Sequence, residues 1–159
     1  MVYTIFYWVH VVSFVVWGLA FLGVLWKYNQ IKNANSLTEE LPLIRTERKM
    51  TNIGGHIGAV GILISGGAIA SIPHEGFKWG WFNDAYLWLS AKQAIFFIIL
   101  ILFVFAAINS VRFKKMLRDE TDGQLTPDAK QQWKKAFRLS MTIYIMVVVN
   151  ILLGYIRPF

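Results

Sequence analysis

The chain has 159 residues, a formal net charge of +7 and no cysteine; 56 % of its residues are apolar and 16 % are charged. So small a charged fraction excludes an ordinary soluble domain, in which about a quarter of residues are Asp, Glu, Lys or Arg. The missing cysteine excludes disulfides, thiolate-held iron–sulfur clusters and covalently attached c-type haem.

A helix crossing the ~30 Å hydrocarbon core needs ~20 apolar residues. Residues 2–26, 50–72 and 139–156 contain no Asp, Glu, Lys or Arg, and residues 86–111 contain only Lys92. The pattern predicts an all-α fold: an integral membrane, antiparallel four-helix bundle forming one transmembrane domain over 1–159, with helices at about 2–26, 44–72, 85–113 and 127–156.

The first span has no basic region before its apolar run and reads as a retained helix rather than a signal peptide. Tyr3, Phe6, Tyr7 and Trp8 at one end, with Trp26 and Tyr28 at the other, suit the two membrane interfaces. A polar loop follows, and residues 42–49 begin the second span before it reaches the bilayer. Residues 71–84 form a short outer loop with Pro73, Gly76, Gly80, Trp79 and Trp81. The third span runs inward from about Ala85, and Asp122-Gly123 marks a turn. Thr126-Pro127-Asp128 reads as an N-cap with proline at the first helical position. The fourth span starts in water and becomes membranous near Phe137.

Loop 27–49 carries Lys27, Lys32, Arg45, Arg48 and Lys49, and loop 112–136 carries Arg112, Lys114, Lys115, Arg118, Lys130, Lys134 and Lys135. The other side shows only Lys78 and Arg157. Under the positive-inside rule both loops are cytoplasmic, and both termini lie outside the cell's inner (plasma) membrane. The basic balance reads as topology plus attraction to anionic lipid, with no nucleic-acid partner.

An ionisable residue inside a membrane helix is costly and is a functional hypothesis by default. His10, His56 and Lys92 meet that description, with Asn150, Ser13, Ser65, Asn109 and Tyr144 in a milder tier. With a rise of ~1.5 Å per residue, His10, Lys92 and Asn150 fall ~6, ~10 and ~5 Å outward of the midplane. His56 falls ~9 Å inward, so the two histidines are ~15 Å apart in depth, which disfavours one haem held between them. Two separate sites fit better. His74 would reach the upper one only if the outer loop folds inward.

His10, Ser13 and Trp17 share a helical stripe, which suits either a cofactor slot with His10 as ligand or a packed helix interface. The glycines around His56 suit close helix packing, or equally a flat macrocycle against the backbone. Met141 falls at the depth of His56, as an axial ligand or as core filling. Lys92 either snorkels outward or pairs with an anion: a haem propionate, an anionic substrate or a lipid phosphate. Three scattered histidines do not make a zinc or copper site.

Several of these residues resemble the group of four-helix bacterial membrane proteins that includes the HemJ-type protoporphyrinogen oxidases and the CopD-like domains. The likeness runs over nearly the whole chain: His10-Val-Val-Ser-Phe-Val-Val-Trp17-Gly-Leu-Ala, then Leu89-Ser-Ala-Lys92, then the tail Arg157-Pro-Phe. It implies haem b, with His10 at the ligand position and Lys92 as a site residue. The Pro-Arg of the HemJ type is replaced by Gly23-Val-Leu-Trp26, and His56 has no counterpart in that type. The expectation is a b-type haem protein in membrane redox or electron transfer. One haem would lie at His10, Lys92, Ser13, Trp17 and Asn150, and a second at His56. Its partners would be membrane lipid, other redox subunits of a larger respiratory complex or further copies of the chain, and a porphyrin or quinone. Two rival expectations are protoporphyrinogen oxidation in haem biosynthesis, and a non-redox accessory or copper-transfer role.

Overall fold

The computed structural model describes residues 1–72, 80–82, 86–119 and 125–156. His74, the Asp122-Gly123 turn and the Arg157-Pro158-Phe159 tail lie outside the described residues. The elements are α1 (Val2–Lys32), α2 (Leu37–Met50), a π-helical turn (Thr51–Gly55), α3 (His56–Ser71), α4 (Leu87–Asp119) and α5 (Pro127–Ile156). The second, third and fourth of these join into one rod, so the chain presents four helices long and apolar enough to cross a membrane. They form an all-α four-helix bundle, the pattern of a multi-pass membrane protein.

Local chemistry sets the helix ends. Ser36 caps α2, its side chain accepting from the Glu39 N–H at 3.3 Å, and Glu39 accepts from the Asn35 N–H at 3.1 Å. Thr126 Oγ1 accepts from the Ala129 N–H at 3.3 Å, with Pro127 in the first turn where no N–H is needed. α1 runs on to Lys32 rather than ending near residue 26. Its last turns bury Val24 and Ile31, and Lys27 donates to Gln30 Oε1 at 2.8 Å. Those turns belong to a core at the end of the bundle that bears the basic connections, built from Val24, Ile31, Ile44, Phe113, Trp133 and Phe137. A second core fills the middle of the bundle around Trp17, Ala59, Ile99, Tyr144 and Val147. Here Trp17 lies 4.9 Å and Phe21 4.7 Å from the Tyr144 ring, centroid to centroid.

The closest helix pairs are α1 with the α2–α3 rod and α4 with α5. The first contact is set by glycine. A Cβ at Gly58 would stand 2.6 Å from Trp17 Cβ and 2.9 Å from the Trp17 backbone; one at Gly54 would stand 2.7 Å from Ala20 Cβ; one at Gly61 would overlap Ser13 Oγ. Of the two uses the glycine stripe suits, the α1 contact is the one found: small residues let the backbones approach without a side chain between them. At the end away from the basic connections, buried Gln93 of α4 donates to the Gly80 carbonyl at 2.9 Å and accepts from the Phe82 N–H at 2.5 Å.

Gly58→Val should therefore push α1 away and lower stability by roughly 1–3 kcal/mol, the usual cost of overpacking. Gly18→Ala, with nothing within 4 Å of the added carbon, should leave it unchanged or slightly raised. Thermal unfolding of the two detergent-solubilised variants tests the contact; equal melting would refute it.

Candidate functional site

The α1–α3 contact carries His10 onto α3 at Ser65 and Gly66. His10 Nδ1 lies 2.9 Å from Ser65 Oγ, and a Cβ at Gly66 would stand 3.4 Å from His10 Cε1. Ser65 is fully buried, and its hydroxyl donates to the Gly61 carbonyl at 2.5 Å. A hydroxyl has one hydrogen. In the tautomer that carries its hydrogen on Nδ1 the imidazole donates to Ser65, and that tautomer presents an unshared pair at Nε2. That is the state of a histidine oriented for ligation, in which the second ring nitrogen is held by a hydrogen bond.

Lys92 of α4 lies within electrostatic reach of His10, and its Nζ fills the space a Cβ at Gly154 would take. Asn150 Nδ2 donates to the Lys92 carbonyl at 3.1 Å, tying α5 to α4 at this level. This layer therefore draws on α1, α3, α4 and α5.

His56 stands nine residues before Ser65 on one rod, ~14 Å along its axis. It packs edge-on against Phe103, with centroids 4.6 Å apart at 67°. It lines a chamber of about 20 Å³ with Thr51, Ser140, Tyr144, Trp17 and Phe103. That is room for about one water, in a mostly apolar lining. Among the described residues the buried Tyr144 hydroxyl has no hydrogen-bond partner, and it lies against Gly55, where a Cβ would stand 2.7 Å from it. The π-helical turn Thr51–Gly55 ends at His56; such turns recur at functional sites in helices.

Beyond this chamber, toward the basic connections, lies a group that composition does not announce. Glu47 is 0 % and Arg48 5 % exposed. Arg48 Nε and Nη2 donate to the two Glu47 oxygens at 2.7 and 2.6 Å. Thr51 Oγ1 donates to Glu47 Oε1 at 2.9 Å, and Trp133 Nε1 reaches across from α5 to Oε2 at 3.0 Å. Among the described residues Arg48 Nη1 is buried without a hydrogen-bond partner. In the sequence Arg48 stands among the loop charges and Glu47 beside it carries no mark. The usable signal is spacing: Leu41, Ile44, Arg48 and Thr51 recur at helical steps of three and four, so the inward face of α2 runs straight through the charged pair.

The remaining predicted residues fall elsewhere. Ser13 and Trp17 serve the α1–α3 contact, Trp17 also lining the His56 chamber. Met141 packs between the two cores, while Ser140, Ile143 and Tyr144 are the α5 residues lining the chamber. Asn109 accepts from Gln132 Nε2 at 3.0 Å, a structural tie between α4 and α5. Among the described residues no group of three or more His, Cys, Asp or Glu could hold a metal ion.

Two variants probe the half nearer the basic connections. Glu47→Ala leaves a buried guanidinium without its counter-charge and should cost roughly 3–5 kcal/mol, most of it recovered by the apolar pair Glu47→Leu with Arg48→Met. Tyr144→Phe should lose about 1 kcal/mol if a water joins the hydroxyl to the chamber lining, whereas an increase in melting temperature would mean the hydroxyl is unsatisfied. No family model, curated protein or solved structure matches the chain.

Proposed function

We propose that the chain is a b-type haem protein of the inner membrane, serving electron transfer, with its basic connections in the cytoplasm and its termini outside. The observation that carries the reading is the His10–Ser65–Gly61 chain of hydrogen bonds, which orients an intramembrane imidazole and leaves Nε2 for iron. The donor set fits: a neutral imidazole is a common axial ligand of haem, and the flanking Gly66 adds no side chain. Lys92 supplies a positive charge at the same level, suited to a carboxylate of the macrocycle. When bound, the group supplies one-electron chemistry. The protein's residues do the rest: His10 ligates, Ser65 fixes the ring, and the apolar helices exclude water.

The proposal is for one haem, at His10; His56 lines the chamber of about 20 Å³. A second reading, oxidation of a porphyrinogen, is favoured by Lys92 beside His10, where a cation would steer a substrate carboxylate. Complementation of a strain lacking that oxidase separates it from electron transfer.

The test is the absorption spectrum of protein purified from haem-replete cells, oxidised and reduced. Wild type and His56→Ala should show a b-type Soret band, and His10→Ala should lose it. Ser65→Ala should weaken haem affinity by roughly 10–100-fold, as expected when a ligand's orienting partner is removed. A colourless wild type, or a full band in His10→Ala, would overturn the proposal.

A further inference from the structure

A groove of about 390 Å³ runs between α1 and the α2–α3 rod, a volume in the range of ligand pockets, about 300–1,000 Å³. Its walls are Val16, Leu19 and Ile53, all exposed. Its floor is the contact between Gly54 and Ala20, where the two backbones meet, with Met50 beside it. Polarity enters at one end only, at Thr46 and Lys49. Thr46 donates its hydroxyl to the Pro42 carbonyl at 2.8 Å, so the end is characterised by Lys49. Arg45 stands four residues before Lys49, a spacing that puts both on one face of α2. Both cations are exposed, and among the described residues neither takes part in a hydrogen bond or ion pair. Gly54 lies ~8 Å from Lys49 and ~14 Å from Arg45 along the rod. The groove thus begins within the apolar span and ends on two cations at the level of the basic connections.

We propose that this groove binds one anionic glycerophospholipid from the leaflet next to those connections, with an acyl chain between α1 and the π-helical turn and the phosphate on Lys49 and Arg45. The charge decides between occupants. A neutral isoprenoid quinone or an apolar helix of a second copy would gain nothing from two cations at the mouth. A phosphate gains from both, because its attraction to Lys and Arg adds at the membrane surface. The site is independent of His10 and of any haem.

Native mass spectrometry of the full-length protein, released from micelles doped with phosphatidylglycerol or phosphatidylcholine, reads the site directly. Wild type should retain one phosphatidylglycerol in preference to phosphatidylcholine. Lys49→Gln and Arg45→Gln should each weaken that retention about fivefold. Val16→Trp, which fills the groove from its lipid side, should abolish retention of either lipid. Lys114→Gln with Lys115→Gln, exposed cations of the other basic connection, should change nothing. Equal retention of the two lipids would overturn the proposal. So would an equal loss in the Lys114/Lys115 control, stronger retention of an added quinone than of phosphatidylglycerol, or a dimer that Val16→Trp dissociates without altering lipid retention.

Discussion

Gly54, Gly58 and Gly61 let α1 and α3 meet at a separation that side chains would forbid. Inside a bilayer there is little hydrophobic gain when one apolar helix leaves lipid for another, so packing and polar contacts carry the association. The register follows from that contact. Ala20 sits on Gly54, Trp17 on Gly58 and Ser13 on Gly61, which brings His10 to Ser65 and Gly66. Sliding α1 by one turn would seat Trp17 against Gly61 or Gly54 and move His10 off its serine. The aromatic stack on Tyr144 then fixes α5 against the same face of α1.

The bundle handles its buried polar groups in two ways. At the end that bears the basic connections Glu47 and Arg48 neutralise each other, and Thr51 and Trp133 also donate to the carboxylate. A buried ion pair is tolerable only when paired and hydrogen-bonded in this manner, and it ties the α2–α3 rod to α5. Toward the other end the His10 imidazole meets the Ser65 hydroxyl, with Lys92 within electrostatic reach. The first arrangement engages the whole carboxylate and leaves Arg48 Nη1 without a partner among the described residues. The second, in the proposed tautomer, leaves Nε2 to other chemistry. His56 falls between them, in a chamber of water-sized volume.

The spans were legible in the residues because hydrocarbon imposes a length and a composition that few other constraints imitate. The start of α5 at Pro127 was legible too, from the Thr126-Pro127 cap. The extension of α1 to Lys32 was not, because its last turns are polar on one side and are held by packing of Val24 and Ile31 against residues distant in sequence. The depth separation of His10 and His56 could be read from helix rise alone. The partner of His10 could not: nothing local marks Ser65 as its acceptor, since that pairing depends on how the glycines seat α1. Glu47 and Arg48 were hidden by their position at the edge of a basic loop, where charge usually means solvent. Only the continuation of the α2 apolar face betrays them.

The central claim is a statement about one hydrogen atom: that Ser65 takes the Nδ1 hydrogen of His10 and so leaves Nε2 unprotonated. Nitrogen-15 NMR of the haem-free protein with labelled histidine reads both ring nitrogens. The account predicts a protonated, hydrogen-bonded Nδ1 and an unprotonated Nε2 for His10, with Nδ1 shifting when Ser65 is replaced by alanine. A ring protonated at Nε2 instead, or a signal indifferent to Ser65, would contradict it.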